Sequence, residues 1–199
     1  MSATMKPIGW AVLVLLVIGL WFSLRTRQNR NSSKASQSAG SERSGAPVYL
    51  GLRNLALQSP PAKIQGASTA KPGEPFSVLM DWGVSAGTAT VAAYADGTAS
   101  IYFSSGGGYL GGGQSHESIR NAARKTVEIA GEVKSLMHPT TTYPLPQRGQ
   151  VTFYVRTDAG VLTATVSEDD LRSHRSPFYK LGDSAQTIIT EYRLMKENK

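Results

Sequence analysis

Apolar residues recur at two different spacings along this chain. From Ser115 to Met137, Ile119, Ala122/Ala123, Thr126, Ala130, Val133 and Met137 return at steps of three and four, which predicts a helix with one buried stripe. Ser115 is the expected N-cap, and Glu117 places an acid in the first turn, where the helix dipole favours one. Pro139 and the proline-rich stretch after it end the helix. Ala185 to Glu197 repeats the pattern with Ile188, Ile189, Tyr192 and Met195, and Asp183 is the expected cap.

Strand signals lie between and before these helices. Phe76 to Trp82 is a strand candidate. Thr88–Ala95 and Thr98–Ser104 flank Asp96-Gly97, a pair favoured in two-residue type I′ turns. That turn sets Ala92 opposite Ile101 and Thr90 opposite Phe103, with Tyr102 facing Val91 on the other side. Gln150–Thr157 and Val161–Val166 form a second hairpin around Asp158-Ala159-Gly160, with Gly160 at the left-handed position. Val48 to Leu57 is an apolar run that fits helix or strand, and residues 59 to 75 read as loop. Glu168-Asp169-Asp170 marks the start of a short turn or helix.

The expected fold is therefore α+β, an antiparallel sheet of about five strands with two main helices, in the order βββαββα. This order resembles the small sheet-and-helix modules of the roadblock, longin and profilin-like kind. The likeness is one of topology, with no sequence motif shared, and it implies no function.

Ahead of this domain, Ile8 to Leu24 is seventeen residues without a charge. At about 1.5 Å per residue it spans roughly 25 Å, the short end of a transmembrane helix. Trp10 and Trp21 fall near its ends, where indole rings favour the headgroup level. A cleaved signal peptide would have a shorter apolar core and a small-residue cleavage site soon after. Residues 1–24 are thus expected to be a single-pass signal-anchor in the lipid bilayer. Lys/Arg after the span outnumber those before it, which predicts a cytoplasmic domain. Residues 25–47 hold almost no apolar side chain larger than alanine and read as a flexible stalk, leaving 48–199 as one domain.

Charge follows the same division. The chain's net +7 comes mainly from residues 1–47, with six Lys/Arg against one acid. The remainder carries fifteen against thirteen. Arg25, Arg27 and Arg30 are placed to meet anionic headgroups. A nucleic-acid binder carries its basic stripe on the folded domain, so no nucleic-acid partner is expected. Without a single cysteine, thiolate chemistry and Cys-based zinc sites are excluded.

Candidate chemistry centres on the glycine-rich run after Ser105. Gly107, Gly108, Tyr109, Gly112, Gly113 and Ser115, followed by His116 and Glu117, join a strand to a helix N-terminus. Backbone N–H groups there can hold an anion, and glycines let a phosphate approach closely. The Lys-Ser/Thr of a P-loop is missing, as is a true G-x-G-x-x-G spacing, and a mobile loop that must turn sharply, with Tyr109-Leu110 tucked on the sheet, is the preferred account of the glycines. His116 and Glu117 point about 100° apart on a helix and form no ready dyad. Asp81 is the acid expected to be partly buried, capping the Gly83–Gly87 turn. His138 and His174 are isolated, and Glu168-Asp169-Asp170 lacks an EF-hand spacing, so no metal or cofactor is expected. The functional expectation is a membrane-tethered interaction module that binds another protein or itself, more a binder than an enzyme. The alternative is small anionic-ligand binding, of a nucleotide or phosphometabolite, at residues 106–113 and the helix start after them.

Overall fold

The computed structural model describes residues 45–60 and 71–197. The expected anchor, most of the stalk and much of the 59–75 loop lie outside them. Helix α1 (Gly45–Gln58) is followed by strands β1 (Ser77–Val84), β2 (Gly87–Tyr94), β3 (Ala99–Phe103) and β4 (Gly108–Tyr109). A 3₁₀ turn at Gly112–Gln114 leads into helix α2 (Glu117–Val133), and a second at Lys134–Leu136 leaves it. Then come β5 (His138–Thr140), β6 (Gln150–Thr157), β7 (Gly160–Ser167), the short helix α3 (Glu168–Arg172) and helix α4 (Tyr179–Glu197).

The fold is α+β, and its seven strands form one antiparallel sheet in the order β4-β3-β2-β1-β6-β7-β5. The five expected strands are present. The two additional ones, β4 and β5, are two and three residues long and close the sheet's edges. Short edge strands, one of them carrying Pro139, offer little backbone for another chain to pair with.

Helices cover both faces. Leu79, Ala92, Tyr102 and Tyr154 point to one face, where Tyr49, Ala56 and Leu57 of α1 pack on them. Val78, Met80, Trp82, Val91, Ile101, Phe153 and Val155 alternate to the other face and are also buried, beneath α2 and α4. Burial on both sides explains why β1 and β6 are buried along almost their whole length. The stripe expected on α2 is buried at every position named for it, through Met137 in the turn after the helix.

Several sequence-based boundaries shift. The first hairpin is offset by one residue: Val91 faces Ile101, Thr90 faces Tyr102 and Ala92 faces Ser100. Its loop holds three residues, Ala95 to Gly97, closed by Gly97 N–H to the Tyr94 carbonyl and Tyr94 N–H to the Thr98 carbonyl. Only Gly97 has positive φ, at 92°. A type I′ turn needs it at Asp96 too, so a type I turn with a glycine bulge forms instead. Asp96 uses its carboxylate to accept from the Thr98 N–H and hydroxyl, at 2.7 and 3.0 Å. The second hairpin has a two-residue loop, Asp158-Ala159, with Gly160 as the first strand residue at φ 131°.

His116, not Ser115, occupies the N-cap of α2, and its side chain makes no capping bond. Helix α4 starts at Tyr179, which puts Asp183 inside it. The acidic run does start a helix: Ser167 caps α3 by accepting from the Asp170 N–H. The undecided run Val48–Leu57 is helical, and α1 also takes in Gly45 to Pro47 from the segment expected to be stalk. Proline is tolerated in a helix's first turn, where no intrahelical N–H bond is lost.

Candidate functional site

Two places concentrate polar groups: the seam between α1 and the sheet, and the glycine loop. At the seam, Asp81 lies in the middle of β1, fully buried, and does not cap the Gly83–Gly87 turn. Alternation along β1 turns it to the face under α1, where Arg53 is also buried. Arg53 donates from Nε to Asp81 Oδ2 at 2.8 Å, and its Nη2 lies 2.6 Å from the same oxygen. Its Nη1 donates to the Tyr143 carbonyl at 3.0 Å, and the guanidinium sits 5.5 Å from the Tyr154 ring centroid. The other Asp81 oxygen accepts from the Thr90 hydroxyl at 2.5 Å, and Thr90 in turn shares a 2.9 Å bond with the Tyr49 hydroxyl. Tyr154 donates to the Pro144 carbonyl at 2.7 Å, so the proline-rich connector before β6 closes over the pair.

Burial pushes the Asp81 carboxyl up from its ordinary value, against the pull of Arg53 and Thr90. Burial also pushes the Tyr49 hydroxyl to about 12, with the Asp81 charge adding to it. Every charged group at the seam thus has a partner inside the protein, and Asp81 has no exposed surface for a substrate to reach.

A second buried arginine holds the far end of α1. Arg156, on β6, donates from Nη1 to the Ala56 carbonyl at 2.8 Å and from Nη2 to the Ser59 carbonyl. These carbonyls belong to the helix's last turn and the residue after it, where the dipole is negative and intrahelical donors run out. The guanidinium also sits 5.0 Å from the Phe76 ring centroid.

The glycine loop is held onto the body of the domain. Gly107 and Gly108 are exposed, and Gly108 pairs with Tyr102 in the edge strand. Tyr109 is half-buried and stacks on Tyr192 of α4 at 5.1 Å. The Tyr192 hydroxyl accepts from the Gly112 N–H at 2.8 Å and donates to the Ala99 carbonyl at 2.7 Å. Gly111 N–H goes to the Ser100 hydroxyl, and Arg120 donates to the carbonyls of Gly113 and Gln114. A Cβ on Gly113 would lie 1.8 Å from the Gly97 carbonyl oxygen, and one on Gly112 would lie 2.4 Å from the Tyr192 hydroxyl. Close packing therefore requires both glycines. Ser115 and Glu117 are exposed, with His116 half-buried between them.

The remaining candidates stay apart. His138 lies in β5, while His174 stacks on Tyr179 at 4.7 Å, 3.8 Å from Asp183. Arg172 pairs with Glu168 and Asp169, and Arg175 pairs with Asp170. Among the described residues, no cluster of three His, Asp or Glu could hold a metal ion. Also among them, no helix is long and apolar enough to cross a membrane. Sequence reasoning missed Arg53 and Arg156; a lone arginine inside an apolar run was the available signal for the first. Comparison with known proteins finds no matching family model, curated protein or solved structure.

Proposed function

We propose that this chain is a membrane-tethered protein-interaction module. Ile8–Leu24 lies in the bilayer, Arg25, Arg27 and Arg30 lie near anionic headgroups, and the domain sits on the cytoplasmic side. One observation carries the interaction reading. Helix α1 is pinned to the sheet by two buried arginines, yet it turns Val48, Leu50 and Leu55 outward, 63%, 42% and 64% exposed. A helix that fastens one face to the core and presents aliphatic side chains on the other is built for contact with something further.

Alkaline carbonate washing of membranes carrying the full-length chain tests the tether. The chain is expected in the pellet, and a Val14→Arg, Leu16→Arg variant in the supernatant. Recovery of the unaltered chain in the supernatant contradicts the reading.

Binding of a small anion at the glycine loop is the second reading. Behind it stand the exposed backbone of Gly107 and Gly108, both at positive φ, and the missing side-chain cap on α2. Phosphate and ATP should then raise the melting temperature. No shift with either ends that reading.

A further inference from the structure

Three side chains stand in one row across the sheet beneath the end of α1. Ser77 of β1 is paired with Tyr94 of β2 on one side and with Arg156 of β6 on the other. Directly paired residues point to the same face, here the one that Leu79 and Asp81 turn to α1. Ser77 is the short member, so its hydroxyl lies at the foot of two long side chains. It is fully buried, and among the described residues it has no hydrogen-bond partner. A buried hydroxyl left without a bond is costly, and folded proteins rarely keep one that nothing uses.

Arg156 carries a matching imbalance of charge. Only 5% of it is exposed, and its side-chain bonds run to the carbonyls of Ala56 and Ser59. Carbonyls bond a guanidinium but leave its charge uncancelled, and buried charges are ordinarily paired. Among the described residues Arg156 enters no ion pair, whereas Arg53 has Asp81. The acids next to the row in sequence are engaged: Asp96 with Thr98, Asp158 with the Gly73 N–H and Glu74 with Lys134. Residues 60–73, which follow Ser59, contain two lysines and no acid. Burial pulls the Arg156 value down, yet a guanidinium stays charged in proteins. Burial pushes the Tyr94 phenol up, so it keeps its proton and can donate.

We propose that Arg156, Ser77 and Tyr94 form a binding site for the carboxylate of a small organic acid. One cation calls for one negative charge, since a dianion would leave an excess of the opposite sign buried. The planar fork of Arg156 matches a carboxylate, and the Ser77 and Tyr94 hydroxyls supply further donors to its oxygens. Phe76, whose ring centroid lies 5.0 Å from the guanidinium, adds an apolar wall for the rest of the acid. Entry is from the end of α1, where the bond to Ser59 is only partly buried and Tyr94 is half-buried. There the incoming carboxylate takes Nη2 over from the Ser59 carbonyl. The site uses none of the glycine loop and does not depend on the membrane tether.

Thermal melts of the full-length chain in nonionic detergent test it, with acetate and benzoate as probes and chloride at matched ionic strength. At least one carboxylate should raise the midpoint above the chloride value, increasingly with concentration. Ser77→Ala should weaken the apparent Kd about tenfold. It should not lower the midpoint in chloride, because among the described residues the hydroxyl it removes bonds nothing. Arg156→Lys keeps the charge but loses the fork, and should weaken binding at least as far. Equal midpoints in carboxylate and chloride overturn the proposal. So does a carboxylate effect that Ser77→Ala or Arg156→Lys leaves intact, which would place the anion elsewhere, as at the glycine loop. A lower midpoint for Ser77→Ala in chloride also overturns it, by giving the hydroxyl an internal role. If Arg156→Lys fails to fold, Ser77→Ala decides alone.

Discussion

Arg53 Nε and Asp81 Oδ2 meet at 2.8 Å across the seam between α1 and the central strand, both side chains out of solvent. Such a pair holds two elements in one register, because either charge left alone in the core is costly. Arg53→Met should therefore destabilise the domain by about 3–5 kcal/mol, whereas Arg53→Met with Asp81→Leu should recover much of that loss. Chemical denaturation of the two variants checks this, and equal losses would count against a paired lock.

The same pair predicts a pH dependence. Burial holds the Asp81 carboxyl above its ordinary value, and Arg53 is the main restraint on that rise. A carboxyl with a raised folded-state value binds its proton more tightly when folded. Its contribution to stability is thus present at low pH and lost as pH climbs from about 4 through the folded value. Without Arg53 the value rises further, so Arg53→Met should cost less at pH 4 than at pH 7. Melting temperatures of variant and parent across that range give the sign.

Arg156 closes the end of α1 by donating to two carbonyls. Arg156→Met leaves those acceptors without their donor and should cost about 1–3 kcal/mol. Hydrogen exchange should quicken in the last turn of α1 while the amides of α2 keep their protection. Uniform loss of protection would mean that the arginine supports the whole core.

The hydroxyl of Tyr192 fastens the glycine loop at the Gly112 N–H and spans to the Ala99 carbonyl. Tyr192→Phe keeps the ring stacked on Tyr109 but removes both bonds, for a loss of about 1–3 kcal/mol and faster exchange at Gly112. Unchanged exchange there would show that the loop is held by other contacts.

Two glycines should respond in opposite directions. Gly113→Ala drives a Cβ into the backbone of Gly97 and should destabilise by about 1–3 kcal/mol or more. Among the described residues nothing lies within 4 Å of a Cβ on Gly51, so Gly51→Ala on this helix should stabilise the isolated domain by about 0.4–1 kcal/mol. Thermal melts of the two variants decide it.

Much of this architecture can be read from the chain because its periodicities are local. The α2 stripe, both hairpins and the α-helical C-terminus follow from residues close to one another in sequence. Features set by distant partners are not legible in that way. The run Val48–Leu57 mixes an arginine into its buried arc and leucines into its exposed one, so neither period stands out until the sheet supplies Asp81. Strands β4 and β5 are too short to show alternation. The first hairpin slips by one residue because only Gly97 takes a positive φ while the Asp96 carboxylate bonds Thr98, so the loop holds three residues where the Asp-Gly pair suggests two. The glycine loop invites an anion-site reading, while two of its glycines answer to Tyr192, about eighty residues on, and to the Gly97 backbone.

The most direct test places a photo-crosslinking residue at Leu55 or at Glu128 of the full-length chain in its native membranes. An interaction module that works through α1 yields protein adducts from Leu55 and few from Glu128. Adducts from Glu128 alone, or equal yields from both positions, would contradict it.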